Sequence, residues 1–143
     1  MLQIIYPEYN FRIKEENKKP VIFDEVRRRW VALTPEEWIR QNFLQYLIQV
    51  KHYPSSIISV EKVIKVGELK KRYDIVVYNK NIPWLIVECK EKNVAINSAV
   101  IEQVLRYNMA LSIQYFAVTN GNQSFAYRVY ENTFKELDDL PEF

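Results

Sequence analysis

Three side chains in the middle of the chain could do chemistry together: Asp74, Glu88 and Lys90. The stretch from Arg72 to Lys90 reads as two β-branched and aromatic runs, Arg-Tyr-Asp-Ile-Val-Val-Tyr and Trp-Leu-Ile-Val-Glu-Cys-Lys, separated by the turn formers Asn-Lys-Asn-Ile-Pro. An antiparallel hairpin is expected, and a turn centred near Asn81 opposes Asp74 to Glu88. Opposed residues have Cβ atoms about 5 Å apart, so two carboxylates there repel unless a cation neutralises them. Side chains alternate along a strand, so Glu88 and Lys90 share a face while Val87 and Cys89 point to the other.

Two acids and an amine on one face fit a divalent-metal site for phosphodiester cleavage. Mg²⁺ prefers oxygen ligands in octahedral geometry and keeps several waters, so two carboxylates, a backbone carbonyl and waters would form its shell. Such a metal polarises a phosphoryl oxygen and acidifies a bound water, while the Lys90 ammonium orients the nucleophile or offsets developing charge. The register decides everything: Pro83 cannot donate to the ladder and could impose a bulge, and a one-residue slip would dismantle the site. The competing reading is that an acid-x-Lys strand is a solvated edge or a surface ion pair. The flanking runs Ile75-Val76-Val77 and Leu85-Ile86-Val87 oppose it, because they predict strands covered on both faces, where charge is costly unless paired or metal-bound.

The whole chain bounds the rest. With 143 residues and 48% hydrophobic content it fits one compact domain. A formal charge of +2 makes any nucleic-acid footprint local. The local candidates are Arg27-Arg28-Arg29, equally readable as ordinary solvated charges, and the run Lys65, Lys70, Lys71, Arg72 leading into Asp74. One cysteine, no signal-peptide pattern and no apolar run of about 20 residues predict an intracellular, cytoplasmic protein with no membrane association. Cys89 alternates away from Glu88 and Lys90 and reads as a small core hydrophobe. The lone histidine, His52, leaves no His-based triad or zinc cluster, and two glycines, Gly67 and Gly121, cannot build a P-loop or a G-x-G-x-x-G turn, so no nucleotide cofactor is expected.

The elements that must position these residues follow from patterning. Phe11 to Phe23 reads as a hairpin around a polar turn at Glu15 to Lys19, with a short strand at Arg29 to Leu33. Thr34 as N-cap, Pro35 at the first helical position and Glu37 at the third start a helix running to about Val50, with Trp38, Phe43, Leu44, Leu47 and Ile48 as its apolar face. A strand at Ile57 to Val66 precedes the central hairpin. Asn97-Ser98 caps a second helix over 98–111, and strands at Tyr115 to Thr119 and Ser124 to Tyr130 flank an Asn-Gly-Asn turn. Helices packed on a mixed α/β sheet are the expected architecture, divided into an N-terminal β extension (1–33), a core (34–131) and a C-terminal tail (132–143).

This order and these residues resemble the PD-(D/E)xK nuclease superfamily, and more closely the N-terminal nuclease domain of type I restriction enzyme R subunits, over roughly Leu33 to Tyr130. The resemblance implies a restriction-endonuclease-like sheet flanked by helices, an αβββαβ core with the N-terminal β-hairpin as an extension. It implies Asp74, Glu88 and Lys90 as the catalytic set, with Mg²⁺ or Mn²⁺ held by Asp74, Glu88 and the Cys89 backbone carbonyl. The R-subunit and RecB-like branches carry a Gln-x-x-x-Tyr motif on the next helix, which Gln103-Val-Leu-Arg-Tyr107 matches; four residues apart, both can reach one site. Read without that motif, Gln103 is a solvent residue and Tyr107 a core aromatic. The superfamily often places another acid on the first helix. Glu37 stands there and divides evenly between metal-site acid and capping box, with Glu61 a weaker candidate. Tyr73 replaces the Pro that names the motif, and type I R subunits continue into a motor that a chain ending at Phe143 would lack.

The resulting expectation is a Mg²⁺-dependent deoxyribonuclease, with Gln103 and Tyr107 positioning substrate and Lys70, Lys71, Arg72 and Gln103 contacting DNA. A protein partner or a second copy of the chain stays open. The rivals are a non-catalytic nucleic-acid-binding or assembly module on the same fold, and a structural α/β protein whose acids pair with Lys90 in a buried network.

Overall fold

A computed structural model describes residues 1–143. Nine strands and two helices follow in the order β1 (Ile13–Glu16), β2 (Lys19–Asp24), β3 (Arg29–Ala32), α1 (Pro35–Gln45), β4 (Ile58–Val66), β5 (Leu69–Asn79), β6 (Ile82–Cys89), α2 (Ser98–Asn108), β7 (Tyr115–Thr119), β8 (Ser124–Val129) and β9 (Phe134–Leu137). β1 to β3 form a small antiparallel sheet, and β4 to β9 form a six-stranded sheet in sequence order. Within the large sheet only β6 and β7 run parallel, joined by the crossover through α2; every other neighbour is antiparallel.

The hairpins close on turns that their residues dictate. Asn17-Lys18 and Lys80-Asn81 both hold positive φ at two consecutive positions, the signature of the type I′ turn whose twist matches that of the strands. Between β4 and β5 the sharp turn starts at Gly67, at φ +59, where a side chain would be strained.

Each face of the large sheet is covered by one helix, because the central strands are apolar on both sides. On one face Phe43, Leu44 and Leu47 of the first helical segment pack on Ile75, Val77, Leu85 and Val87; on the other, Ile101 and Leu105 of α2 pack on Val76, Ile86, Phe116 and Val118. Ile75 to Val77 and Leu85 to Val87 are all fully buried, as the continuous apolar runs predicted. Burying a side chain of this size contributes about 1.5–3 kcal/mol relative to leaving it exposed. Thr34 caps α1 by accepting the Glu37 amide at 3.0 Å, and Asn97 caps α2 by accepting the Val100 amide at 3.0 Å.

Three expectations need correction. Residues 132–143 are not a tail: Phe134 to Leu137 pair with Ala126 to Val129 as the sheet's sixth strand, Leu140 returns to the core, and the half-exposed Phe143 packs its ring edge-on against Trp84. No alternation announced that strand, since Lys135 and Glu136 interrupt it on an exposed edge. Trp38 is 43% exposed and packs against Phe11 of the N-terminal segment instead of entering the core. The first helix keeps α geometry only to Gln45 and continues through Val50 as a wider turn. No helix is long and apolar enough to cross a membrane.

Candidate active site

The β5–β6 register is set by a bulge. The tight turn pairs Asn79 with Ile82 and Tyr78 with Pro83, after which the ladder shifts and pairs Val77 with Leu85, leaving Trp84 as the extra residue. The shifted ladder runs on to Ile75↔Val87, so the next position opposes Asp74 to Glu88. Without the bulge Asp74 would oppose Val87 and the acids would be out of register. Pro83, which has no N–H to offer the ladder, and the wedge of Trp84 between Tyr53, Tyr115 and Phe143 therefore position a site several residues away.

A second irregularity faces Asp74 from β4. That ladder pairs Val60 with Ile75 and Lys62 with Tyr73 but is interrupted at Glu61 and Asp74, and Glu61 stands at φ +52. A non-glycine residue in the left-handed region inside a strand, away from any turn, costs about 1–2 kcal/mol and persists only where the surrounding structure holds it. The strand changes face here: Ile75 and Val77 pack toward α1, whereas Tyr73, two residues earlier, packs with Val76, Ile101 and Leu105 on the α2 side. Asp74 sits at the crossover.

Its carboxylate is held from two sides. Asp74 Oδ2 accepts the Cys89 backbone N–H at 2.8 Å, and Oδ1 accepts Arg40 Nη2 at 2.7 Å and Nε at 3.3 Å. Arg40, on α1 and nearly buried, also donates to Glu37 at 2.7 Å and Glu36 at 3.1 Å and stands 3.5 Å from Glu61. Arg27, from the turn between β2 and β3, donates to Asp24 at 2.6 Å, Glu37 at 2.8 Å and Glu61 at 3.3 Å, and Gln41 bridges Asp24 and Glu37. One polar network thus ties the small sheet to α1 and to Asp74. Sequence reasoning missed it: Arg27 read as part of a surface cluster, and Asp24, Arg40 and Gln41 carried no motif. The one signal was the count of charged and amide residues on α1 facing an apolar sheet.

Glu88 is drawn the other way. It accepts Lys71 at 2.5 Å and lies 3.8 Å from Lys90, so Glu88 and Lys90 do share a face, while Cys89 is buried among Ile75, Val77 and Val87. The Lys71 ammonium also lies over the rings of Tyr73, at 5.0 Å, and Tyr107, at 4.9 Å. Lys90 follows directly on β6, and its backbone N–H donates to Thr119 on β7 at 2.7 Å. The structure brings Asp74, Glu88, Cys89, Lys90, Lys71 and Arg72 to one open cleft of about 410 Å³, whose walls also include Glu36, Arg40, Glu61 and Glu91.

Other candidates stand apart. Glu37 does not line the cleft; its oxygens are taken by Arg27, Arg40 and Gln41, so it neither reaches Asp74's free side nor folds back as a capping box. Tyr107, 48% exposed, touches the site through Lys71, and Gln103 and Lys70 are exposed outside the cleft lining.

The local field follows from this packing. Burial disfavours the Arg40 charge, but the hydrogen bond to Asp74 and the charges of Glu37 and Asp74 outweigh it and hold the guanidinium firmly protonated. Burial, then the Asp74 charge, pushes the Glu36 carboxyl up. Burial and the same charge push the Cys89 thiol far up, so it is no nucleophile. Burial and the neighbouring Glu88 raise the Tyr73 phenol.

The donors fit a hard cation. Asp74 and Glu88 offer carboxylate oxygens to one cleft, although no three acids gather tightly enough to form a closed cage. Mg²⁺ does not require one, since it is held by one or two carboxylates together with waters and substrate phosphate. Arg40 and Lys71 occupy the positions of neutralising charge, and a bound cation would share or replace them.

The comparisons agree with this architecture. A profile of the family described as "Type I restriction enzyme R protein N terminus (HSDR_N)" matches residues 35–141. A crystal structure of a candidate nuclease belonging to DUF820, from Anabaena variabilis, superposes with a TM-score of 0.51 at 13% identity, covering 88% of this chain and 80% of that one. At that identity it speaks for the fold alone. No curated protein sequence matches. The matched span takes in α1, the whole six-stranded sheet and the cleft, and the chain belongs to the family of type I restriction enzyme R protein N-terminal domains.

Proposed function

We propose that the protein is a metal-dependent deoxyribonuclease hydrolysing DNA phosphodiester bonds. The observation that carries this reading is the meeting of Asp74 with the Glu88-Cys89-Lys90 tripeptide in one charged cleft, through a bulge and a strained residue that spend folding energy on the arrangement. Asp74, Glu88 and the Cys89 carbonyl are the residues to hold Mg²⁺ or Mn²⁺. When bound, the metal supplies Lewis-acid polarisation of the phosphate and a more acidic water.

The chain's own residues supply the rest. The Cys89 amide and Arg40 fix the Asp74 carboxylate, so one acid is preset before substrate arrives. Lys90, at the strand end and partly exposed, places an ammonium beside the reacting phosphate. There it orients the attacking water and offsets negative charge as the water oxygen forms the new P–O bond and gives up one proton, one ester P–O bond breaks and the leaving oxygen takes up one proton. Lys71 and Arg72 offer cations to adjacent phosphates, Tyr107 braces Lys71, and Gln103 and Lys70 extend the DNA contact along the rim.

Incubation of the protein with supercoiled, linear and single-stranded DNA plus Mg²⁺ or Mn²⁺, beside folded Lys90→Ala, tests the reading. Cleavage that needs metal and vanishes in Lys90→Ala is expected. One observation favours a second reading, a non-catalytic DNA-binding module: both acids are already neutralised, by Arg40 and Lys71. DNA binding with no cleavage under any condition would select it.

A further inference from the structure

We infer that the small N-terminal sheet is a docking surface for the phosphate backbone of DNA extending beyond the cleft, an inference that rests on the nuclease reading. Residues 12–33 carry seven Lys and Arg against four Asp and Glu, a surplus larger than the +2 of the whole chain. Of these cations, Arg27 is consumed internally by Asp24, Glu37 and Glu61. The others are outside.

Alternation sorts the sheet's two faces. Ile22 and Asp24 of β2 are fully buried and turn inward, Asp24 accepting from Gln41 of α1. Lys19, Val21 and Phe23 face outward, with Lys14 paired to Val21 and Trp30 to Phe23. On that outer face the Arg12 guanidinium lies 4.5 Å from the Phe23 ring centre and 5.3 Å from Trp30, and the Lys14 ammonium lies 4.2 Å from Trp30. Arg12 has no carboxylate partner, and Lys14 has only the exposed Glu16 at 3.9 Å. Flat rings thus hold two cations in place without neutralising them, which lowers the entropy lost when a polyanion binds.

Position supplies the second argument. The turn between β2 and β3 is fastened to the cleft wall by Arg27 to Glu61, and Arg28 and Arg29, both exposed, follow it immediately. Exposed cations therefore stand both beside the cleft wall, at Arg28 and Arg29, and on the outer face of the small sheet, at Arg12, Lys14 and Lys19. Charge complementarity commits the occupant to a phosphate backbone. Contacts of this kind position a duplex without reading its sequence.

The test measures binding of a fluorescent DNA duplex of about 30 base pairs, a length adequate for several phosphate contacts, by anisotropy across a KCl series in EDTA, which blocks cleavage. Full-length wild type is compared with a triple variant, Arg12→Gln, Lys14→Gln and Lys19→Gln, and with a double variant, Arg28→Gln and Arg29→Gln. The slope of log affinity against log salt is expected to fall by about 2 to 3 in the triple variant, near 0.9 per lost phosphate contact, and by about 1 to 2 in the double. The Mg²⁺-induced rise in melting temperature should stay at the wild-type value, and neutralising Lys80 and Lys135 on the large sheet should leave the slope unchanged. Should the triple variant melt early, the double variant, away from the stacked rings, decides. Wild type and both variants giving one superimposed salt series would overturn the docking surface while leaving the nuclease reading intact; wild type that binds no DNA at all would overturn both.

Discussion

Arg40→Met isolates the device that holds Asp74. The substitution keeps the aliphatic stem and deletes a guanidinium that is 6% exposed and reaches Glu37, Asp74 and Glu36 at 2.7, 2.7 and 3.1 Å. Removing one partner from a buried pair typically costs about 3–5 kcal/mol, because the charge left behind is desolvated and unmatched. Compensation here is partial: Glu37 keeps Arg27 and Gln41, and Asp74 keeps the Cys89 amide. The low end, about 3 kcal/mol, is therefore expected. For a chain of this length that is a fall in melting temperature of about 10 °C. The assay is thermal unfolding in EDTA and again in Mg²⁺. If the cation takes over Arg40's neutralising role, Mg²⁺ restores more stability to the variant than it adds to wild type, since binding to the native state alone stabilises it. A loss under about 3 °C in EDTA, roughly the 1 kcal/mol ceiling of a surface pair, would refute the claim that Arg40 presets the site. An equal Mg²⁺ increment in both proteins would refute the exchange.

Other outcomes follow from the same geometry. Asp74→Asn should abolish the Mg²⁺-induced rise in melting temperature while the fold survives, because the amide oxygen still accepts the Cys89 N–H and the Arg40 guanidinium, which loses Asp74, keeps Glu36 and Glu37; a retained rise would place the metal elsewhere. Glu36 has its carboxyl raised by burial and by Asp74, so its ionised form opposes folding at neutral pH and the penalty disappears as pH falls through the folded value. Glu36→Gln should accordingly be more stable than wild type at pH 7, with the difference closing as pH drops into the carboxylate range in calorimetric scans. Cys89, buried and with its thiol raised, should resist a thiol reagent in the native protein and react fully in denaturant. Thr34→Ala should cost about 1 kcal/mol through loss of the bond to the Glu37 amide, read as a shift in the urea midpoint.

Local patterns in the sequence determined much of this molecule. Apolar runs such as Ile75-Val76-Val77 demanded covering on both faces, and α1 and α2 supplied it. Thr34-Pro35 and Asn97 started their helices because capping needs only neighbours in sequence. Asp74, Glu88 and Lys90 were legible as a set because alternation and one hairpin relate them. Tertiary structure decided what local chemistry could not. The bulge at Trp84, which brings Asp74 level with Glu88, sits where Tyr53, Tyr115 and Phe143, all remote in sequence, pack around that one ring. The pairing of Arg40 with Asp74 and of Arg27 with Glu37 and Glu61 joins three elements remote in sequence. Charge looks alike on a solvated surface and in a buried network, and only desolvation, a property of the assembled fold, separates Arg27 from its exposed neighbours Arg28 and Arg29.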